Sequence, residues 1–315
     1  MLEVVKSLSS SEPIFISFIS ASGGVGKTKL ALILAYYLQK EKHKKVLFID
    51  LDPTGGASFS VFDDEELEAH LRNNVSFSAM IKHSNEGRNI DFDDYKISAK
   101  LSDIYVDFVI PGDDLVDIIE RFWKGGSAGP TFAEKLREII PLNRYDYVIV
   151  DTAPFFDPRY TTLSVYLSDY QIIPVTPSVV DMRRNIMMLK KIRNDVKMAI
   201  RFKGISSDLE NFMRERYIVI LNKIPVRSNQ AEHLFYKHYI FSEKLPPNIG
   251  ALTKRRIEKL VEYMNKLSTS TKILRAGIKI IDRTIGRFPK EASGRDAVES
   301  TMDYLIKIYE IIKRK

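Results

Sequence analysis

The chain has 315 residues, 44% of them hydrophobic and 28% charged, enough apolar content for a sizeable core in one large or two small domains. It contains no cysteine, which excludes disulfides, thiolate metal sites, iron–sulfur clusters and cysteine nucleophiles, and suits a reducing, cytoplasmic setting. Lys and Arg (48) outnumber Asp and Glu (41), a formal net charge of +7 that fits an anionic partner such as nucleic acid or anionic lipid.

In chain order, the apolar run over residues 14–20 predicts a first strand, followed by a glycine-rich turn and a helix over 28–40. A second strand over 46–51 leads into Asp50-Leu51-Asp52-Pro53, and Asp63 to Glu68 form an acidic patch. A strand over 104–110 and a helix over 114–123 come next, then residues 124–130, Lys-Gly-Gly-Ser-Ala-Gly-Pro, which read as a loop. Further on, helices are expected over 131–139, 180–197, 250–265 and 296–314, and strands over 147–151, 170–175 and 216–221. Near-continuous apolar runs such as Tyr147-Val148-Ile149-Val150 suit strands buried on both faces of a parallel sheet. The alternation predicts an α/β fold, a doubly wound and mostly parallel sheet flanked by helices. With no low-complexity linker, the chain reads as one domain over 1–315, its C-terminal helices from about 250 packed on it.

No apolar run approaches the ~18–20 residues of a membrane-spanning helix, and Met1 to Lys6 lack the apolar core expected of a signal peptide. The five histidines, His233 and His238 included, show no metal-ligand spacing.

Ala21-Ser22-Gly23-Gly24-Val25-Gly26-Lys27-Thr28 has the strand–turn–helix context of a phosphate-binding loop. Its glycines let successive N–H groups curl toward a phosphate, and the helix start adds positive potential. Lys27 can reach the β- and γ-phosphates, and the Thr28 hydroxyl can ligate Mg²⁺. The general pattern has glycine where this chain has Ala21. Asp50 and Asp52, two apart at a strand end, can face a metal and a nearby water. Asp151, closing Val148-Ile149-Val150 and followed by Thr152-Ala153-Pro154, is a Walker B carboxylate for the same ion. All these residues, with Asn222, fall at carboxyl ends of strands, where ligands of doubly wound folds bind.

Together with Val109-Ile110-Pro111-Gly112, Ile172-Ile173-Pro174-Val175-Thr176-Pro177 and Val219-Ile220-Leu221-Asn222-Lys223, these motifs resemble the ParA/MinD family of deviant-Walker P-loop ATPases over about residues 13–225. Asp50-Leu51-Asp52-Pro53 is most similar to the ParA branch of DNA partition ATPases. The resemblance implies ATP and Mg²⁺ as cofactors, with the phosphates held by the run Ser22, Gly23, Gly24, Val25, Gly26, Lys27, Thr28 and Lys29. It implies Mg²⁺ ligation by Thr28 and Asp151 with support from Asp50, catalytic roles for Lys27 and for Asp52 on the attacking water, and adenine contact by Asn222. In Asn222-Lys223-Ile224-Pro225, proline occupies the place of the guanine-reading carboxylate of related GTPases, which favours adenine.

The resemblance further implies a slow, partner-stimulated ATPase, cytoplasmic and nucleoid-associated. It would form an ATP-dependent homodimer on nonspecific DNA and answer to a ParB-like centromere-binding adaptor. The basic segments 183–203 and 272–290 are the candidate DNA surfaces, the second read as one face of a helix. The family's signature lysine before Gly-Gly, which reaches the partner's phosphates across the dimer, is Ser22 here. Either another cation (Arg183, Arg184 or Arg227) supplies that charge, or hydrolysis is slow, or the dimer is held differently. The C-terminal apolar spacing Val298, Met302, Leu305, Tyr309 and Ile312 fits a helix packed on the core. A MinD-like membrane-cycling ATPase, with that helix on lipid, and a weakly hydrolysing nucleotide-switched scaffold are the alternatives; the acidic Glu299, Asp303 and Glu310 disfavour lipid.

Overall fold

A computed structural model describes residues 12–125, 128–222, 251–269, 271–275 and 295–313. Its strands are β1 (Ile14–Phe18), β2 (Val46–Leu51), β3 (Ile97–Leu101), β4 (Ile104–Val109), β5 (Tyr147–Thr152), β6 (Tyr170–Val175), β7 (Tyr217–Leu221) and β8 (Lys272–Arg275). They form one sheet in the order β3-β4-β2-β5-β1-β6-β7-β8, parallel throughout except for the antiparallel pair β3–β4. The α-helices are α1 (Lys27–Glu41), α2 (Ser58–Val61), α3 (Asp64–Arg72), α4 (Phe77–Asn85), α5 (Leu115–Lys124), α6 (Ala128–Ile139), α7 (Pro158–Leu167), α8 (Val179–Phe202), α9 (Leu209–Arg216), α10 (Ala251–Ser268) and α11 (Arg295–Ile312).

Alternate residues of each central strand feed two cores, as the period of two requires. Phe15, Ile49, Val150 and Ile173 pack on one side with Phe132 of α6, Leu163 of α7, Ile192 of α8 and Leu260 of α10. Ile16, Phe48, Ile149 and Ile172 pack on the other with α1 and with Tyr304, Leu305, Ile308 and Ile312 of α11. The sheet is therefore doubly wound, as expected. Those four residues of α11 lie in the core, which leaves lipid no contact with them.

Several elements differ from the sequence expectation. Residues 128–130 are not loop but the first turn of α6. Pro130 is tolerated there because first-turn N–H groups lack intrahelical partners. Gly129 is required because a Cβ would lie 2.1 Å from the Tyr166 ring. The acidic run opens α3: the Asp63 side chain accepts from Glu66 N–H, and Glu66 answers on the Asp63 N–H, a capping box. Helices α4, α7 and α9 are likewise started by the side chains of Ser76, Asp157 and Asp208. β3 was not expected; it alternates buried Ile97, Ala99 and Leu101 with exposed Ser98 and Lys100, and pairs β4 through a turn with left-handed Ser102. The basic segment expected as helix over 272–290 instead begins with β8, paired to β7; residues 276–290 lie outside the described residues, as do Arg227, His233 and His238.

Candidate nucleotide-binding site

β1 delivers the chain to the centre of the sheet's carboxyl end, where Gly24 (φ 69°) and Gly26 (φ 98°) turn it left-handed into α1. That region favours glycine, and at Gly26 there is a second reason: a Cβ would lie 2.5 Å from Asn222 Nδ2. Asn222, just past β7, donates through Nδ2 to the Val25 carbonyl at 2.8 Å. Its Oδ1 is buried without a hydrogen-bond partner. Residues 21–28 and Asn222, 197 positions apart from Val25, thus share one site.

The carboxylates converge there. Asp50 and Asp151 are register partners on adjacent parallel strands, so like charges face each other on one rung. Both are fully buried. The Asp50 carboxylate is occupied: Oδ1 accepts from Asp52 N–H (3.2 Å), and Oδ2 from Ser58 N–H (2.9 Å) and the Ser58 hydroxyl (2.7 Å). Neither oxygen of Asp151 has a hydrogen-bond partner, although the nearby Thr28 hydroxyl and Lys27 favour its charge. Burial, then the Asp50 charge, pushes the Asp151 carboxyl well above the ordinary range. Burial raises Asp50 as well, against the Ser58 and Asp52 donors. The Lys27 side chain is buried, which lowers its ammonium pKa, while Asp151, Asp52 and Asp181 act in the opposite direction. Asp52 accepts from the Thr54 N–H (2.9 Å) and hydroxyl (2.7 Å) through Oδ1 alone, and Oδ2 has no partner among the described residues.

Among the described residues, no three His, Asp or Glu side chains form a metal cage. Mg²⁺ needs only one or two carboxylates beside phosphate oxygens and water. An orphaned buried carboxylate next to a threonine hydroxyl fits that requirement.

Two residues that hold the loop escaped the sequence reading. Asn185 of α8 accepts the Ala21 N–H (3.1 Å) and donates to the Asp181 carbonyl (2.9 Å) and carboxylate (3.2 Å). The other Asp181 oxygen accepts the Thr176 N–H (2.7 Å) and hydroxyl (3.0 Å). The available signal was Asp181 in the first turn of a helix just after Thr176-Pro177-Ser178, a capping position. Ser22 is tied to Ser20 through its backbone, and its own hydroxyl is buried and unpaired. Arg183 and Arg184 are exposed on α8, beside Asn185, and Lys29 is exposed on α1.

A family profile described as an AAA domain matches residues 14–202, more than half of the chain. An uncharacterized protein of Methanocaldococcus jannaschii is 33% identical over 52% of this chain and 60% of its own length. A virulence plasmid ParA family protein of Chlamydia psittaci is 28% identical over 56% of this chain and 61% of its own. The chain thus spans about three fifths of the length of these relatives. In fold it is similar to a Cyanothece McdA variant in its ATP complex (TM-score 0.61, 16% identity, 97% of this chain and 98% of that one). It is also similar to the Aquifex aeolicus MinC:MinD cell division protein complex (TM-score 0.53, 19% identity, 93% and 96%). Among the described residues, no helix is long and apolar enough to cross a membrane. With a match reaching from β1 through α8, the chain belongs to the AAA-domain family that the profile describes, and it shares its fold with the McdA and MinD structures.

Proposed function

We propose that this chain is an ATP-dependent DNA partition ATPase of the ParA branch. In this reading Mg-ATP favours a homodimer that binds nonspecific DNA at the nucleoid of the cytoplasm, and a ParB-like adaptor stimulates hydrolysis and release. The observation that carries the nucleotide part is the orphaned Asp151 carboxylate, in register with Asp50 and beside Lys27 and Thr28. The similarity to a ParA family plasmid protein and the +7 charge support the partition part.

Each residue has a role that its surroundings allow. Residues 22–29 wrap the phosphates with backbone N–H groups, and the Lys27 ammonium neutralises phosphate charge. Thr28 and Asp151 hold Mg²⁺, which when bound polarises the phosphate oxygens and offsets the carboxylates. Asp50, with three donors already on it, acts from behind by fixing the 52–58 turn. Asp52, anchored through Oδ1 by Thr54, keeps Oδ2 for orienting the attacking water. Asn222 offers its unpaired Oδ1 to the adenine amino group.

The test is retention on DNA with ATP, ADP or no nucleotide over a salt series, beside phosphate release by wild type and Asp52→Ala. ATP-only retention that falls steeply with salt, together with loss of phosphate release in the variant, is the expected result. Nucleotide-independent retention, or undiminished release by Asp52→Ala, overturns it. A specific observation favours one second reading: Ser22 carries no charge and its hydroxyl is unpaired, which suits a slowly turning nucleotide switch. ATP binding without measurable release in wild type selects that reading.

A further inference from the structure

We infer that the amino-terminal end of the sheet carries a second ligand site, for a small phosphate ester bearing a planar ring. A cavity of about 490 Å³ lies there, between the α1–β2 turn, β4 and the 3₁₀ turn Leu142–Arg144 before β5. Because β2, β4 and β5 run parallel, this end faces away from Asp50, Asp52 and Asp151. The two ends are separated by the strand length, about 17–20 Å. The volume lies in the range of small-molecule sites, about 300–1,000 Å³.

The cavity is built for an anion. Buried Tyr145 and half-buried Asp107 form its inner side, and both Asp107 oxygens are taken: Lys96 Nζ donates to one (3.1 Å) and the Tyr145 hydroxyl to the other (2.7 Å). Burial and then the Asp107 contact push the Tyr145 pKa up, so it stays the donor. The carboxylate is thereby neutralised and repels an incoming anion little. Lys44 pairs with Asp146 (3.2 Å) and Arg144 with Asp93 (2.8 Å), both near the surface. Such pairs are worth little and exchange readily for a phosphate. His43 and Lys45 are exposed and form no ion pair among the described residues. His43 has φ 53°, a left-handed turn that brings three consecutive basic side chains to the rim.

The ring preference rests on Tyr105. Its side chain, 58% exposed, stands on β4 at the edge of the same cavity and offers a flat apolar face. The neighbouring Gln39 amide donates to the Tyr105 carbonyl, fixing that stretch of strand. Stacking on Tyr105 with the phosphate among His43, Lys45 and Arg144 occupies both halves of the site.

The probe is 5′-AMP, titrated by calorimetry into the full chain carrying Lys27→Ala, which removes the lysine of the other nucleotide site. One site is expected, weakened about tenfold or more by His43→Ala with Lys45→Ala. Tyr105→Ala should weaken AMP but leave inorganic phosphate binding unchanged. Three results overturn the proposal: no AMP binding once Lys27 is removed, an unchanged affinity in the double variant, or binding of a short single-stranded oligonucleotide but not of AMP. If Lys27→Ala fails to fold, wild type is used instead. The readout is then the His43 imidazole resonance, which must move with AMP if the site exists.

Discussion

The Asp50–Asp151 rung is held against its own charge. Two fully buried carboxylates face each other, one with three donors and the other with none. A carboxyl whose pKa is raised on folding binds its proton more tightly in the native state. Its contribution to stability is therefore present at low pH and lost as pH rises above the ordinary carboxylate range. Asp151→Asn removes that loss. Without nucleotide, the variant should melt higher than wild type, and more so at pH 8 than at pH 5. Scanning fluorimetry checks this, and an equal or lower melting temperature at pH 8 contradicts it. The same variant should lose the Mg²⁺-dependent part of nucleotide stabilisation. Most of this site was legible in the sequence because glycines, Lys27, Asp50, Asp52, Asp151 and Asn222 are chemically distinctive and fall at strand ends. Asn185, Asp181 and Ser58 were not, because a buried polar residue that serves the backbone looks like any helix or turn residue until the partner is placed.

At the level of elements, the Asn185 side chain ties α8 to the start of the glycine loop. Asn185→Ala leaves the Ala21 N–H and the Asp181 carboxylate short of a partner each. The cost is about 1–3 kcal/mol, and the loop it should pre-form is loosened. Calorimetry with ATP should show roughly tenfold weaker binding, with the helix content unchanged by circular dichroism. α11 offers a different test. Leu305 is fully buried beside Tyr304 and Ile308. Leu305→Ala should therefore cost about 2–5 kcal/mol, read by chemical denaturation; an unchanged midpoint would mean that the helix detaches. Some of the elements missed from sequence are ones that tertiary contact decides. Helices α2 and α9 are short, β8 is a four-residue strand that exists by pairing with β7, and Gly129-Pro130 becomes helical under Tyr166. The strongly apolar strands β2, β5 and β6 needed no such help, since burial on both faces writes itself into composition.

For the whole molecule, one sheet carries chemistry at its two ends. Occupancy of the carboxyl end should stabilise the chain by linkage, about 2.7 kcal/mol at a hundredfold excess over Kd. A rise in melting temperature of about 5 °C is expected with Mg-ATP at that excess. Removing Mg²⁺ with EDTA should take away most of it, because the charges of Asp50 and Asp151 then stay unopposed. A shift that survives EDTA in full would assign the ion no part in binding.

The β3–β4 hairpin also governs what this chain can build with copies of itself. A bare strand at the rim of a sheet is a template on which further strands can polymerise. Here the rim strand is five residues long, antiparallel to its neighbour, and bears Ser98 and Lys100 on its outward positions. A lysine there would have to be stripped of water for another strand to add, so growth of a continuous intermolecular sheet from this side is disfavoured.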